Sequence, residues 1–319
     1  MADEAMNEGN FSHNNTVAPT VHRVLPLFSL VGRTAIVSGA GAGIGLAVAE
    51  ALAEAGANVA IWYNSNKKAI EEAEKIEKEY GVKCTCIPPL LQSSHLIGAH
   101  ILNLVGGSGK AYQVDVTSYE AIAAITDEVI REFNGRLDVF VANSGIPWTQ
   151  GAALDGELDH YHKIMKTDID SAFYCARVAG LHWRRQKKEQ TTIDGKPFAP
   201  AFREGSFVAT GSISGTIVNI PQLQAAYNAA KAAVIHLCKS LAVEWVGFAR
   251  ANTVSPGYIS TEILSFAPSP LHKIWQDKTP MGREGQAHEL KGAFLYLASD
   301  AASYTTGADI VIDGGYSLP

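Results

Sequence analysis

Cysteine is scarce, with four in 319 residues at positions 84, 86, 175 and 238. Four are too few for a disulfide scaffold, and the close pair Cys84-x-Cys86 lacks the second pair that a zinc site needs, so no metal site is expected. A reducing, cytoplasmic compartment is the expectation. Positive charge is not in excess: 26 Lys and Arg against 32 Asp and Glu leave a net charge of -6. No basic face is available to neutralise phosphates, and no nucleic-acid partner is expected. Asp3 and Glu4 stand where a secretory leader has a basic stretch followed by an apolar one, so residues 1–29 read as a disordered or surface-draped tail of a non-secreted protein. Charge is missing altogether from Cys84 to Gly109, 26 residues in which the 18% average predicts about five charged side chains. Only 12 of the 26 are apolar, and Pro88, Pro89, His95 and His100 interrupt them. A spanning helix needs about 20 mostly apolar residues, so no membrane partner is expected.

The remaining chain is rich in what a large core needs, with 47% hydrophobic residues. From residue 30 onward, apolar runs of about five residues alternate with segments of helical period. Thr34–Val37, Asn58–Trp62, Ala111–Val116, Leu137–Ala142, Ser206–Thr210, Ala251–Ser255 and Asp309–Asp313 read as seven strands. Leu46–Ala55, Ala69–Tyr80, Ala121–Phe133, Ile164–Arg185, Ala225–Gly247 and Ala287–Ala298 read as helices. Near-continuously apolar strands interleaved with helices predict a parallel sheet covered on both faces: an α/β, doubly wound Rossmann-type fold. No shift of composition marks a second domain, so residues 30–319 are read as one catalytic domain.

The 29 glycines concentrate informatively. Between the first strand and its helix stands Ser38-Gly39-Ala40-Gly41-Ala42-Gly43-Ile44-Gly45. Such a turn lets backbone N–H groups approach a pyrophosphate at the positive end of a helix. No G-x-G-x-x-G register fits; G-x-x-x-G-x-G at Gly39, Gly43 and Gly45 does. NAD-preferring sites place a carboxylate at the end of the second strand. Here that end reads Tyr63-Asn64-Ser65-Asn66-Lys67, without an acid and with possible 2'-phosphate donors, which favours NADP(H).

A Tyr-x-x-x-Lys pair places both side chains on one helix face, where the ammonium lowers the phenol's pKa toward the range of a working acid or base. The chain has two such pairs. Tyr63/Lys67 lies at the nucleotide loop, whereas Tyr227/Lys231 opens a helix and follows a serine, Ser212, at a strand end. Ser214 competes with Ser212 for the substrate oxygen.

The order of these features resembles the short-chain dehydrogenase/reductases from about residue 30 to the end. It runs Gly39-x-x-x-Gly43-Ile44-Gly45, Asp115-Val116, Asn143-Ser144-Gly145, Ser212, Tyr227-x-x-x-Lys231, Pro256-Gly257 and Asp313-Gly314-Gly315. The resemblance implies the strand order 3-2-1-4-5-6-7. It further implies Asp115 and Val116 at an adenine, Asn143 and Gly145 beside a ribose, and Pro256, Gly257, Ile259 and Thr261 around a nicotinamide. In the implied reaction Tyr227 protonates a ketone oxygen that Ser212 polarises, while Lys231 tunes the tyrosine and holds the cofactor ribose. Stretches such as Pro221–Asn228 and Ser255–Glu262 are similar to the fungal sorbose reductase, mannitol dehydrogenase and L-xylulose reductase group, implying a cytosolic homotetramer that interconverts ketoses and polyols with NADP(H).

Departures from the family pattern are also legible. Ser38 replaces a common threonine, keeping a hydroxyl. Asp168 stands where the family often has an asparagine of a proton relay, and reads either as a water-holding catalytic group or as a structural partner. Arg184–Gly205, with six basic and three acidic residues, reads as a solvated excursion. Residues 84–109 read as an insertion without a fold role, either a translated intron or a surface loop, because their removal joins Lys83 to Lys110 and restores an ordinary third strand. The substrate-side stretch Ile263–Met281 is not readable. Two other readings stay open: a reductase of 3-oxoacyl or other carbonyl compounds, and a nucleotide-binding protein catalytically impaired by the insertion.

Overall fold

Side chains on successive strand residues point to opposite faces, and in this chain both faces are apolar. In the computed structural model, which describes residues 6–7, 10–11, 18–82, 84–87, 110–264 and 267–318, this alternation divides the core in two. Strand β1 (Thr34–Val37) sends Ala35 and Val37 to one side and Ile36 to the other; β2 (Asn58–Tyr63) sends Val59 and Ile61 one way and Ala60 and Trp62 the other. The first layer is closed by helices α1 (Gly43–Glu54), α2 (Lys68–Tyr80) and α8 (Lys291–Ala298). The second is closed by α3 (Tyr119–Glu132), α5 (Ser171–Glu189) and α6 (Ala225–Glu244).

The remaining strands are β3 (Cys84–Ile87), β4 (Lys110–Gln113), β5 (Val139–Ala142), β6 (Gly205–Thr210), β7 (Ala249–Pro256) and β8 (Asp309–Ile312). All pair in parallel in the order β8-β7-β6-β5-β1-β2-β3-β4, so every expected strand is present in the implied order. The order reverses at β1, and the carboxyl ends of β1 and β5 open the crevice in which such sheets bind ligands.

The eighth strand corrects the reading of residues 84–109. Strand β3 pairs with the first half of β2 (Val59 with Cys84, Ala60 with Thr85), and β4 pairs with its second half (Trp62 with Tyr112, Tyr63 with Gln113). The two segments divide the edge of β2 between them while also pairing with each other (Thr85 with Lys110, Ile87 with Tyr112), and the first four residues of the uncharged block take part in the sheet. The register also measures the surplus. Cys84 faces Val59 and Tyr112 faces Trp62, so a step of 28 residues accompanies a step of three in β2, an excess of 25 rather than 26. Residues 88–109 lie outside the described residues, as does most of 1–17. Among residues 18–29 no side chain is buried, and Leu30 is the first to enter the core.

The stretch 184–205 is not a solvated excursion. Helix α5 continues through Glu189, Gln190 takes a left-handed conformation (φ 55°), and its side chain bonds both Phe202 N and Phe202 O. Phe202 is buried, and the Arg136 guanidinium lies over the rings of Phe198 (5.0 Å) and Phe202 (5.8 Å). Most of the charges face outward, Glu204 turns inward to pair with Arg250 at 2.9 Å, and two phenylalanines anchor the segment. Charge content registered only the outward side.

Candidate active site

The turn after β1 is shaped by what it excludes. A Cβ on Gly45 would stand 2.4 Å from Gly39 O, 2.6 Å from Asn143 Nδ2 and 2.8 Å from Ala40 Cα, so only hydrogen is accommodated. Gly39 (φ 63°) and Gly43 (φ 58°) hold left-handed conformations that suit glycine. No side chain caps the first turn of α1. Ala42, Gly43 and Ile44 at its start line the cleft, an arrangement suited to an anion. The Ser38 hydroxyl accepts from the backbone N–H of Asn143 (3.0 Å) and Ser144 (3.1 Å). Asn143 Nδ2 donates to Ser38 O and Gly39 O, while its Oδ1 accepts from Thr210 Oγ1 at 2.9 Å. Asn143 therefore ties the turn to β5 and β6. A residue given no separate role in the sequence reading completes the cradle: Asn66 Nδ2 donates to Gly41 O at 2.9 Å. Its signal was its place directly after Asn64 and Ser65.

This turn forms one end of a cleft of about 590 Å³, within the range of small-molecule and cofactor sites. The cleft is lined by Gly39, Gly43, Ile44, Asn64, Ser65, Val116, Asn143, Gly145, Ser212, Tyr227, Lys231, Pro256, Gly257, Ile259 and Thr261. Of the expected residues, Gly45, Asp115 and Asp168 do not line it. Gly45 packs behind the turn. Asp115 instead accepts from Thr117 N (2.9 Å) and Thr117 Oγ1 (2.7 Å), bonds that hold its carboxyl below the usual range. Val114, Ile146 and Leu264, not named from sequence, contribute apolar walls. The unreadable stretch 263–281 contains α7 (Ser269–Lys278), whose Trp275 is fully buried and stacks on Tyr258 at 4.2 Å.

At the other end, α6 presents Tyr227 and Lys231 one turn apart. Lys231 is buried; its Nζ donates to Thr210 O (3.1 Å), stands 3.2 Å from Asp168 Oδ1 and lies 5.5 Å from the centre of the Tyr227 ring. Asp168 reaches it because the chain makes a π turn, Lys166–Asp170, between α4 (Leu158–Met165) and α5. Its Oδ2 accepts from Ile146 N at 3.0 Å. A Cβ on Gly145 would come within 2.7 Å of Asp168 Oδ1, so glycine leaves the room in which the carboxylate and ammonium meet. Tyr63/Lys67, the other spaced pair, is divided: Tyr63 is buried in the sheet and Lys67 is exposed.

The serines separate cleanly. Ser212 lines the cleft, and its hydroxyl accepts from Ser214 N (3.1 Å). Ser214 Oγ is held by Gln224 Nε2 (2.9 Å) in a buried network with Asn219 and Asn228. The expected lowering of the Tyr227 pKa needs correction. Burial pushes the phenol up, Lys231 pulls it down, Asp168 pushes it up and Ser212 pulls it down, with a net rise. Lys231 is held above the ordinary lysine value because Tyr227 and Asp168 outweigh the effect of burial.

Comparison with known proteins accords with this geometry. A family model described as short chain dehydrogenase matches residues 33–101, and one described as enoyl-(acyl carrier protein) reductase matches residues 99–317. The two matches meet inside the uncharged block. An L-xylulose reductase from Hypocrea jecorina is 62% identical over 98% of this chain and 100% of its own length. The chain belongs to the short-chain dehydrogenase/reductase family. A sorbose reductase from Candida albicans is 45% identical over 95% of this chain and 94% of its own length. Among solved structures, an NADPH-dependent 3-quinuclidinone reductase from Rhodotorula rubra superposes with a TM-score of 0.79 at 37% identity, covering 95% of this chain and 98% of that one. As a member of this family the protein is an oxidoreductase on a Rossmann-type sheet.

Proposed function

We propose that this short-chain dehydrogenase/reductase reduces a ketose of the sorbose, fructose or xylulose type to a polyol with NADPH. The observation that carries the reading is the convergence of Ser212, Tyr227 and Lys231 on one cleft that also opens onto the glycine turn. The similarity to an L-xylulose reductase and a sorbose reductase supports the substrate class. NADP(H) suits the residues present: the Gly39–Gly45 cradle admits no Cβ at position 45, and Asn64 and Ser65 line the second-strand end without a carboxylate. In this reading Ile44 and the N–H groups of α1 hold the pyrophosphate, Val116 meets the adenine with Asp115 behind it, and Asn143, Gly145 and Lys231 border the nicotinamide ribose. Pro256, Gly257, Ile259 and Thr261 border the nicotinamide.

Bound NADPH supplies the hydride. Tyr227 donates its proton to the carbonyl oxygen, Ser212 donates a hydrogen bond to the same oxygen, and Lys231 stabilises the phenolate that remains. The polyol is a small-molecule partner; the working form is a cytoplasmic homotetramer. Exposed Phe173 and Leu181 on α5, Val243 on α6 and Val311 on β8 support assembly through those elements.

The test is NADPH oxidation with L-sorbose, D-fructose and L-xylulose beside an acetoacetyl thioester. Turnover of a ketose is expected, and turnover of the thioester alone would replace this reading with the 3-oxoacyl one. Tyr227→Phe lowers kcat by roughly 10²- to 10⁴-fold, the usual worth of a positioned acid, while NADPH affinity stays within about twofold. Binding without turnover of any carbonyl substrate would leave only a nucleotide-binding protein.

A further inference from the structure

A buried ion pair has been placed where the reaction needs a free cation. We propose that Asp168 is a positioning residue that offsets the charge of Lys231 and so keeps Tyr227 protonated, the form that donates to a carbonyl oxygen, to higher pH than Lys231 alone would allow. The proposal rests on the reading of Tyr227 as the proton donor.

The geometry separates two functions of the carboxylate. Oδ2 accepts from Ile146 N at 3.0 Å and thereby holds the Gly145–Ile146 segment along the cleft. A carboxamide oxygen would make that bond equally well, so it gives no reason for a charge. Oδ1 has another partner, the Lys231 ammonium at 3.2 Å, and both side chains are nearly inaccessible to water. Two independent features of the chain serve this meeting: the π turn that breaks the α4–α5 helix to aim Asp168 inward, and Gly145, whose missing side chain leaves the space.

The consequence for Tyr227 follows from sign. A lone buried ammonium stabilises the phenolate strongly, because little water screens it. Burial already raises the phenol, and a carboxylate beside the same ammonium offsets part of that field. The groups acting on the phenol from the surrounding elements are Lys231 on α6, Asp168 on the π turn and the Ser212 hydroxyl after β6; Tyr258, after β7, is coupled to it as a further phenol. Lys231 is the only cation among them, and Asp168 the only anion.

Asp168→Asn tests the idea because it retains an acceptor for Ile146 N and removes the charge. The alkaline limb of kcat/KM for NADPH-dependent ketose reduction should move to lower pH by about one unit or more, the size of shift a single neighbouring charge produces. The rising limb for polyol oxidation should move in the same direction. A rate that falls equally at every pH with both limbs in place would show a structural role alone and overturn the proposal, as would an upward shift. A second measurement needs no turnover: the tyrosinate absorbance titration of the parent protein minus that of Tyr227→Phe, which isolates the Tyr227 phenolate as the reference. Applied to Asp168→Asn, the same titration should show an earlier phenolate even if no ketose is a substrate, which separates failure of this proposal from failure of the substrate assignment.

Discussion

At position 45 the difference between a hydrogen and a methyl group decides whether the nucleotide turn can form. A Cβ there meets a backbone oxygen, a side-chain amide and a backbone carbon, all closer than 3.0 Å, and two of them are backbone that cannot swing aside. Gly45→Ala is therefore expected to lower NADPH affinity by at least about tenfold and stability by about 1–3 kcal/mol, the range for overpacking. Calorimetric titration and thermal unfolding measure both, and affinity within twofold of the parent would contradict the cradle. The cysteines give a second prediction at this scale. Cys175 and Cys238 are free and buried, and burial pushes the Cys238 thiol up to about 12. The thiolate is the reactive form, so both should resist iodoacetamide in the native protein at pH 8 and react after denaturation, as read by peptide mass spectrometry. Labelling of either in the native state would mean that the core opens.

Among the elements, the division of the β2 edge between β3 and β4 makes the sharpest prediction. Deleting residues 85–109 joins Cys84 to Lys110 and leaves Tyr112 opposite Trp62, the pairing now present. Deleting 84–109 instead shifts the strand by one residue, and a one-residue slip turns every side chain to the other face. Tyr112, 2% exposed against the second core, would then leave it. The 25-residue deletion should fold with a melting temperature equal to or above the parent, whereas the 26-residue deletion should lose several degrees. Equal melting temperatures for the two would refute the register argument.

At the scale of the whole molecule, a few exposed apolar side chains fall on helices that the core uses on only one side. Phe173 (44% exposed) and Leu181 (41%) stand on the outer face of α5, and Val243 (46%) on α6. Scattered singly such residues mean little, but on adjacent helices they fit a subunit contact. Light scattering should give about four times the 34.0 kDa chain mass. Phe173→Glu should lower that number without unfolding the chain. A monomer for the parent protein would remove the assembly from the proposed function. Among the described residues no helix is long and apolar enough to cross a membrane.

Much of this was legible from the chain. Near-continuously apolar strands interleaved with helices require a sheet covered on both faces, and the spacing of Gly39, Gly43, Gly45, Tyr227 and Lys231 puts a glycine turn and a one-faced tyrosine–lysine pair along it, because backbone geometry and helical period are local properties. What tertiary structure alone decided are relations between distant segments. Asn66 reaches Gly41 across a crossover, Gln224 claims Ser214 and leaves Ser212 to the cleft, and Phe198 and Phe202 find Arg136 beneath a charged surface. The clearest case is Asp168: no spacing in the sequence shows that it meets Lys231, 63 positions away, in the space a glycine vacates. The sign of its effect on Tyr227 depends on that distance and on the exclusion of water, two quantities that exist only once the chain is folded.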